Sequence, residues 1–256
     1  MHLPETSGSP AGVNIALHGD GVPLLLGFPM MASHSEIFGE AGREVLHGYL
    51  DRLTDRYRVL LVDYPSIGRS ASIPPGDLTA DRVCRDLLRA ADAAGFERFA
   101  YWGYSWGGAV GLQLASRTDR LSALVVGGWA PLGGHYEAVL RGARSQVEAP
   151  PASAMAVLRE PAQYAQWVTF YESVQDWPEA DVLARLTCPR MVFVGAGGDT
   201  DAGGVPLPIA TTVRAHRERL EALGWRVCEI PGRDFSVVLD PAAVVPVVRP
   251  FLDAVN

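Results

Sequence analysis

The stretch Gly103-Tyr104-Ser105-Trp106-Gly107-Gly108 follows the apolar run Phe99-Ala100-Tyr101-Trp102 and precedes the small-residue run Ala109-Val110-Gly111-Leu112-Gln113-Leu114-Ala115. A strand, a very sharp turn and a helix are predicted in that order. A glycine two residues to either side of the serine lets the backbone reverse without a steric clash. The Ser105 hydroxyl is therefore expected to stand exposed at the carboxyl edge of a sheet, with a helix N-terminus behind it. Such a turn is a nucleophile elbow, with Ser105 at its apex.

Outward from this turn, strands and helices alternate. Residues 13–17 read as a short strand, and His18-Gly19-Asp20-Gly21 as a turn of the kind that closes a hairpin. Residues 23–27 and 58–62 are unbroken apolar runs, the mark of strands buried on both faces. Between them, 40–56 is helical by period, with Val45, Tyr49, Leu50 and Leu53 on one stripe. Thr79 opens a helix that runs through Ala94 and is capped by Gly95. Beyond the elbow, 121–127, 190–194 and 226–230 supply further strands, with a helix over 208–223. This order predicts an α/β chain on a mostly parallel central sheet flanked by helices, with ligand chemistry at the carboxyl ends of the strands.

One segment breaks the alternation. Residues 133–185 lie between two strands and are far longer than an ordinary connection, which divides the chain into a core of 1–132 with 186–256 and a helical cap or lid insertion of 133–185. Tyr164, Trp167, Val168, Tyr171 and Val174 fall at helical spacing within it. A stripe of this kind is either plain core or the aromatic roof of a substrate pocket, and Trp167 and Tyr171 are the candidate substrate contacts.

Composition narrows the chemistry. A chain of 256 residues, 48% hydrophobic and 20% charged, can bury a sizeable core as a single α/β unit. A net charge of -7 argues against a nucleic-acid backbone as partner. The longest apolar runs are strand-sized, and 1–12 shows neither a signal segment nor a spanning helix, so a cytoplasmic chain with no membrane partner is expected. All 22 Lys/Arg positions are arginine. The absence of lysine excludes a Schiff-base enzyme, a serine-lysine dyad and a lysine-bearing phosphate loop. Cys84, Cys188 and Cys228 have no paired spacing and are expected to be reduced thiols. The six histidines show no metal-ligand spacing, and neither a metal nor a cofactor is expected.

Taken together, these motifs resemble the α/β-hydrolase fold superfamily, in its serine-nucleophile esterase and lactonase-like branch. Leu24-Leu25-Leu26-Gly27-Phe28-Pro29 looks like the family's oxyanion strand end, with Leu26 where the family usually has histidine. Asp63-Tyr64-Pro65-Ser66-Ile67-Gly68-Arg69-Ser70 is similar to the segment after the family's next strand, and Gly103 to Gly107 to its elbow. The resemblance implies Ser105 as nucleophile and the backbone amides of Phe28 and Trp106 as the oxyanion hole. A tetrahedral oxyanion needs two fixed donors of that kind.

The family's acid follows the strand at 190–194, where its spacing favours Asp199, with Asp201 as the alternative; Asp and Gly here also simply make turns. Its histidine base follows the last strand. In this chain Pro231-Gly232-Arg233-Asp234 is followed instead by Phe235, with matching context through Ser236-Val237-Val238-Leu239-Asp240-Pro241. The base is thus replaced and not displaced, and phenylalanine cannot accept a proton. Asp234 is adjacent, but a carboxylate needs strong desolvation to act as a base. His34 and His135 are the candidates for a surrogate base or for substrate binding. His216 is expected on a solvated helix face and His18 in a turn, and His2 and His47 have no chemical context.

Several functions fit this pattern. The leading one is a serine hydrolase of a small ester, lactone or related acyl substrate whose triad is incomplete at Phe235. A cofactor-free lyase, cyclase or isomerase on the same fold, a ligand-binding pseudohydrolase, and a working hydrolase into which Phe235 was introduced remain alternatives.

Overall fold

A computed structural model describes residues 12–255; His2 and the rest of the polar start lie outside the described residues. The core is a seven-stranded sheet. In chain order its strands are β1 (Ile15–His18), β2 (Val22–Leu26), β3 (Tyr57–Val62), β4 (Phe99–Tyr104), β5 (Leu121–Gly127), β6 (Arg190–Gly197) and, after a hairpin of β7 (Thr200–Ala202) and β8 (Val205–Leu207), β9 (Trp225–Asp234). They lie side by side in the order β1-β3-β2-β4-β5-β6-β9. Every pairing in this sheet is parallel except that of β1 with β3.

The first turn departs from the expected hairpin. β1 pairs with β3 and not with β2 (Ile15 opposite Val62, His18 opposite Val59), so the turn at Gly19 and Gly21 must cross the start of β3. A Cβ on Gly21 would overlap the Arg56 carbonyl, and one on Gly19 the Tyr57 carbonyl oxygen. Glycine is needed there for the close crossing.

Side chains alternate between two cores, as the period of a strand requires. Leu25, Leu60, Tyr101 and Val126 face one side, covered by α2 (Ala80–Ala93), α3 (Trp106–Ala115) and α8 (Ile209–Ala215). Leu24, Leu26, Val59 and Trp102 face the other, covered by α1 (His34–Leu50) and α10 (Pro241–Val255). Thr79 caps α2 by accepting from the Arg82 amide. The expected helix over 40–56 begins earlier, because Gly39 (φ 63°, ψ -140°) joins two helical pieces into α1, and it ends earlier, at Leu50. The expected helix over 208–223 is likewise two, α8 and α9 (Arg217–Ala222), broken at His216.

Between β5 and β6 the chain forms α4 (Tyr136–Ser145), α5 (Ala152–Met155), α6 (Ala165–Glu172) and α7 (Glu179–Arg185). A bridge of Leu158 to Ile67 ties this insertion to the loop after β3. The Arg159 guanidinium donates to the carbonyl oxygen of Gly68 and to the Ser72 hydroxyl in the same loop. Among the described residues no helix is long and apolar enough to cross a membrane, and the three cysteines are free.

Candidate active site

Ser105 sits at the end of β4 and opens α3 with φ 54° and ψ -121°. A side chain in that region costs on the order of 1–3 kcal/mol and persists only where its surroundings enforce it. They do so here through the backbone: the Ser105 amide donates to the Gly127 carbonyl (2.8 Å), and its carbonyl accepts from the Gly108 amide (2.9 Å). A Cβ on Gly103 would overlap the Gly107 carbonyl, and one on Gly107 the Phe28 carbonyl oxygen. Both elbow glycines are therefore required by space. The Ser105 hydroxyl does not cap its own helix.

Phe28 is bound to this turn from the neighbouring strand end. Its carbonyl accepts from the Tyr104 amide (2.9 Å), while its own amide donates to the Tyr64 hydroxyl (3.2 Å). That second bond is at the long end of the normal range. The Tyr64 phenol is fully buried, and its ring packs edge-on against Trp106 (centroids 4.9 Å). Burial raises its pKa above the ordinary tyrosine value. Asp63, one residue earlier, is completely buried, and among the described residues no basic side chain is bonded to it. It accepts instead from the Ser33 amide (2.8 Å) and hydroxyl (2.5 Å), Asn14 Nδ2 (2.8 Å) and the Arg69 amide (2.9 Å). This network fixes the loop that carries Tyr64.

The expected acid and base positions lie beyond the ends of β6 and β9, where Gly197 is opposite Asp234. The exposed Asp199 carboxylate accepts from the Thr211 amide (3.0 Å) and hydroxyl (2.6 Å) at the start of α8. Partial burial opposes its ionisation, but these bonds, the Ala210 amide and the Arg214 charge hold its pKa below the usual value. Asp201 accepts from the Gly204 amide (3.0 Å) and closes the β7–β8 turn. Asp234 accepts from the Ser236 amide and hydroxyl. Phe235 is half-buried, with its ring on Tyr104 and its carbonyl accepting from the Tyr104 hydroxyl.

Among the histidines, His34 is the first residue of α1 and is buried, with its ring against Phe38 (4.8 Å) and no partner for Nδ1 among the described residues. Burial lowers its pKa, partly offset by the Pro29 backbone. His135 Nε2 is 3.0 Å from the Thr212 hydroxyl, and burial lowers its pKa against the opposing effects of the Pro208 backbone and the Asp199 charge. His216 Nδ1 is 3.1 Å from the Thr212 carbonyl oxygen. Neither His34 nor His135 is brought into hydrogen-bond contact with Ser105 among the described residues. No group of three or more His, Cys, Asp or Glu among them is placed to hold a metal ion.

A cavity of about 400 Å³ lies between the core and the insertion. Its core side is Phe28, Phe38 and Trp106; α4 and the residue that follows it contribute Val139, Ala143 and Gln146, and the stripe on and before α6 contributes Tyr164, Trp167 and Tyr171. The stripe is core and cavity wall at once: Tyr171 also stacks on Trp129 (6.3 Å), and Phe170 meets Trp106 edge-on (5.3 Å). His34 and His135 are not among the lining residues.

Residues 29–129 match a family model described as alpha/beta hydrolase fold. Over 232 residues the chain is 30% identical to a protein named carbamate hydrolase RutD from Klebsiella pneumoniae (strain 342), a match that covers 77% of this chain and 86% of that protein. The chain belongs to the α/β-hydrolase family. A relative of the same name from Azorhizobium caulinodans is 32% identical over 131 residues, 50% of this chain and 45% of its own length; the match spans less than half of that relative. Two solved structures share the hydrolase fold. The enol-lactonase from Burkholderia xenovorans LB400 has a TM-score of 0.70 at 18% identity, covering 94% of this chain and 96% of that one. A thermophilic esterase from Thermogutta terrifontis has 0.68 at 20%, covering 99% and 98%.

Tyr64, Phe38 and Gln146 belong to this arrangement but carry no functional signal in the motifs of the sequence. Tyr64 stands inside the quoted Asp63 motif, but nothing in the sequence tells that its hydroxyl reaches the amide of Phe28, 36 positions earlier. Phe38 carries a local signal: a large apolar residue immediately before the helix-breaking Gly39, left 38% exposed.

Proposed function

We propose that the protein acts on a small ester, lactone or related acyl compound, with Ser105 as nucleophile, the Phe28 and Trp106 amides as oxyanion donors, and no histidine at the base position, which Phe235 fills. The strained Ser105 turn carries this reading, because that conformation has a cost and leaves the hydroxyl free of its own helix. In the reaction, Ser105 Oγ adds to the substrate carbonyl carbon and the hydroxyl proton passes to water. The carbonyl oxygen takes the negative charge against the two amides, and collapse to the acyl-serine breaks the bond to the leaving oxygen, which takes a proton back from water to leave as the alcohol. Water then hydrolyses the acyl-serine.

The missing base sets the rate. Loss of the histidine from a serine triad costs about a millionfold in turnover, while the oxyanion hole and binding alone retain roughly 10³–10⁴ over water. Slow turnover, near what the oxyanion hole and binding sustain alone, is the expectation for the parent chain. The names of the relatives and structural neighbours, carbamate hydrolase, enol-lactonase and esterase, support an acyl carbonyl as the reacting group. The 133–185 insertion acts as the cap of the site, with the Trp167 and Tyr171 rings against the substrate.

A second reading, a non-hydrolytic enzyme or a ligand-binding pseudohydrolase, is favoured by one observation: the Asp199 carboxylate is satisfied by Thr211 and needs no imidazole partner. A fluorophosphonate probe separates the two. Slow labelling of the parent that is lost in Ser105→Ala supports the acyl-transfer reading. No labelling, with ligand-dependent thermal stabilisation and no product, supports the second.

A further inference from the structure

The wall of the cavity beside Phe28 and Trp106, the residues that flank Ser105, is neutral. Its lining residues include no Asp, Glu, Arg or His, and its largest surfaces are the rings of Phe28, Trp106, Tyr164, Trp167 and Tyr171. One amide is set into it: the Tyr164 hydroxyl donates to Gln146 Oε1 (2.6 Å), which leaves the Gln146 NH₂ as the donor at that wall. An anion brought into such a space loses its hydration and meets no cationic side chain to replace it. The net charge of -7 opposes its approach as well. A flat ring, in contrast, meets aromatic walls edge-on and face-on and buries most of its surface in a cavity of this size.

From this we infer that the site selects a neutral, ring-bearing acyl compound and rejects small carboxylate and carbamate anions. The inference rests on the acyl-transfer site proposed above only for its location; its content is the ligand class. Selection comes from desolvation, because the lining residues include no cationic side chain to pair with a carboxylate, and the Phe28 and Trp106 amides are reserved for the reacting carbonyl oxygen. The Gln146 NH₂ supplies one neutral hydrogen bond to an oxygen of the ligand and so orients it. Trp167, half-buried on the insertion, supplies a wall that truncation removes without opening the main core.

The test uses two probes of nearly the same shape, phenylacetone, which is neutral and not hydrolysable, and phenylacetate, which is its anionic counterpart. Binding is read at neutral pH by quenching of tryptophan fluorescence and by thermal shift, in the parent and in Ser105→Ala. Phenylacetone is expected to bind both proteins equally, and phenylacetate at least about tenfold more weakly. Trp167→Ala, checked for an intact melting transition, is expected to weaken phenylacetone several-fold. Gln146→Arg is expected to reverse the order by giving the anion a partner. Equal or tighter binding of phenylacetate to the parent, binding of neither compound, or indifference to both substitutions would overturn the inference. Because binding is measured without turnover, a parent that prefers phenylacetone yet shows no Ser105-dependent labelling loses the acyl-transfer reading and keeps the ligand class. Labelling without that preference does the reverse.

Discussion

The Tyr104 hydroxyl donates to the backbone carbonyl of Phe235 at 2.7 Å, and the two rings pack with centroids 5.4 Å apart. The residue that precedes Ser105 thereby fixes the backbone of the residue at the expected base position. Gly127 and Gly128 make this possible, since a Cβ on either would overlap the Tyr104 ring. The bond uses main-chain atoms of residue 235, so its side chain can be exchanged without releasing the loop.

Phe235→His is therefore expected to create hydrolysis of p-nitrophenyl acetate that Ser105→Ala abolishes. The gain is limited by the acid, because Asp199 is held by Thr211 and does not orient the new imidazole. A base without its oriented acid recovers only part of the triad's effect, about a hundredfold by the relative costs of losing the two groups in a serine protease. Adding Thr211→Val, which removes the 2.6 Å hydroxyl bond to Asp199, is expected to raise the rate further. Equal rates in the parent and Phe235→His would sink the incomplete-triad reading.

Tyr64 gives a second handle on the same step. The Phe28 amide donates to its hydroxyl at rest, so an oxyanion must compete for that N–H. Tyr64→Phe removes the competitor and leaves a buried donor unmatched until the oxyanion forms. In the Phe235→His background, kcat is expected to rise up to about tenfold, while stability falls by about 1–3 kcal/mol. A loss of both rate and stability would mean that Tyr64 positions the amide and does not compete for it.

Much of this arrangement is legible in the sequence, and the reasons differ by element. Strands such as Tyr57–Val62 and Leu121–Gly127 read clearly because burial on both faces forces unbroken apolar runs. The elbow reads clearly because both of its glycines are imposed by contacts from Phe28 and Gly107. Gly19 and Gly21 read as a hairpin turn, yet β1 pairs with β3, because turn chemistry reports a reversal and not which strand lies alongside. The destination of Asp199 was not legible: the same side chain can address residue 235 or the first turn of α8, and only the position of Thr211 in space decides. Trp167 and Tyr171 could be placed on one stripe by period, but whether a stripe faces core or cavity depends on what lies opposite.

Asp63 is expected to be a residue of stability and not of chemistry. Its buried carboxylate receives two bonds from Ser33 and one each from Asn14 and the Arg69 amide. Asp63→Ala leaves these donors buried without an acceptor, at a cost of about 3–5 kcal/mol, and loosens the loop that carries Tyr64. Urea denaturation reads the first effect as a lowered midpoint with an unchanged slope. A shift below about 1 kcal/mol would show that water replaces the carboxylate freely.

Stability should also depend on pH near neutrality, with a sign set by the histidines. Burial lowers the pKa of His18, His34 and His135 in the folded chain, with His47 adding to the effect at His18. Below the unfolded value of about 6.5 the unfolded chain binds protons that the folded one refuses. The slope of unfolding free energy with pH is then positive. Stability is full above that value and is lost as pH falls through the window down to the depressed folded values. Glu179 acts in the opposite sense, since burial raises its carboxyl despite the Gly133 and Gly134 amides, but its window begins nearer the ordinary glutamate value. Urea unfolding from about pH 7.5 to about pH 5.5 spans the histidine window. His34→Gln is expected to flatten the curve by removing the most buried of the three rings, and a curve that rises on acidification in the parent would contradict the assignment of these histidines as neutral in the folded state.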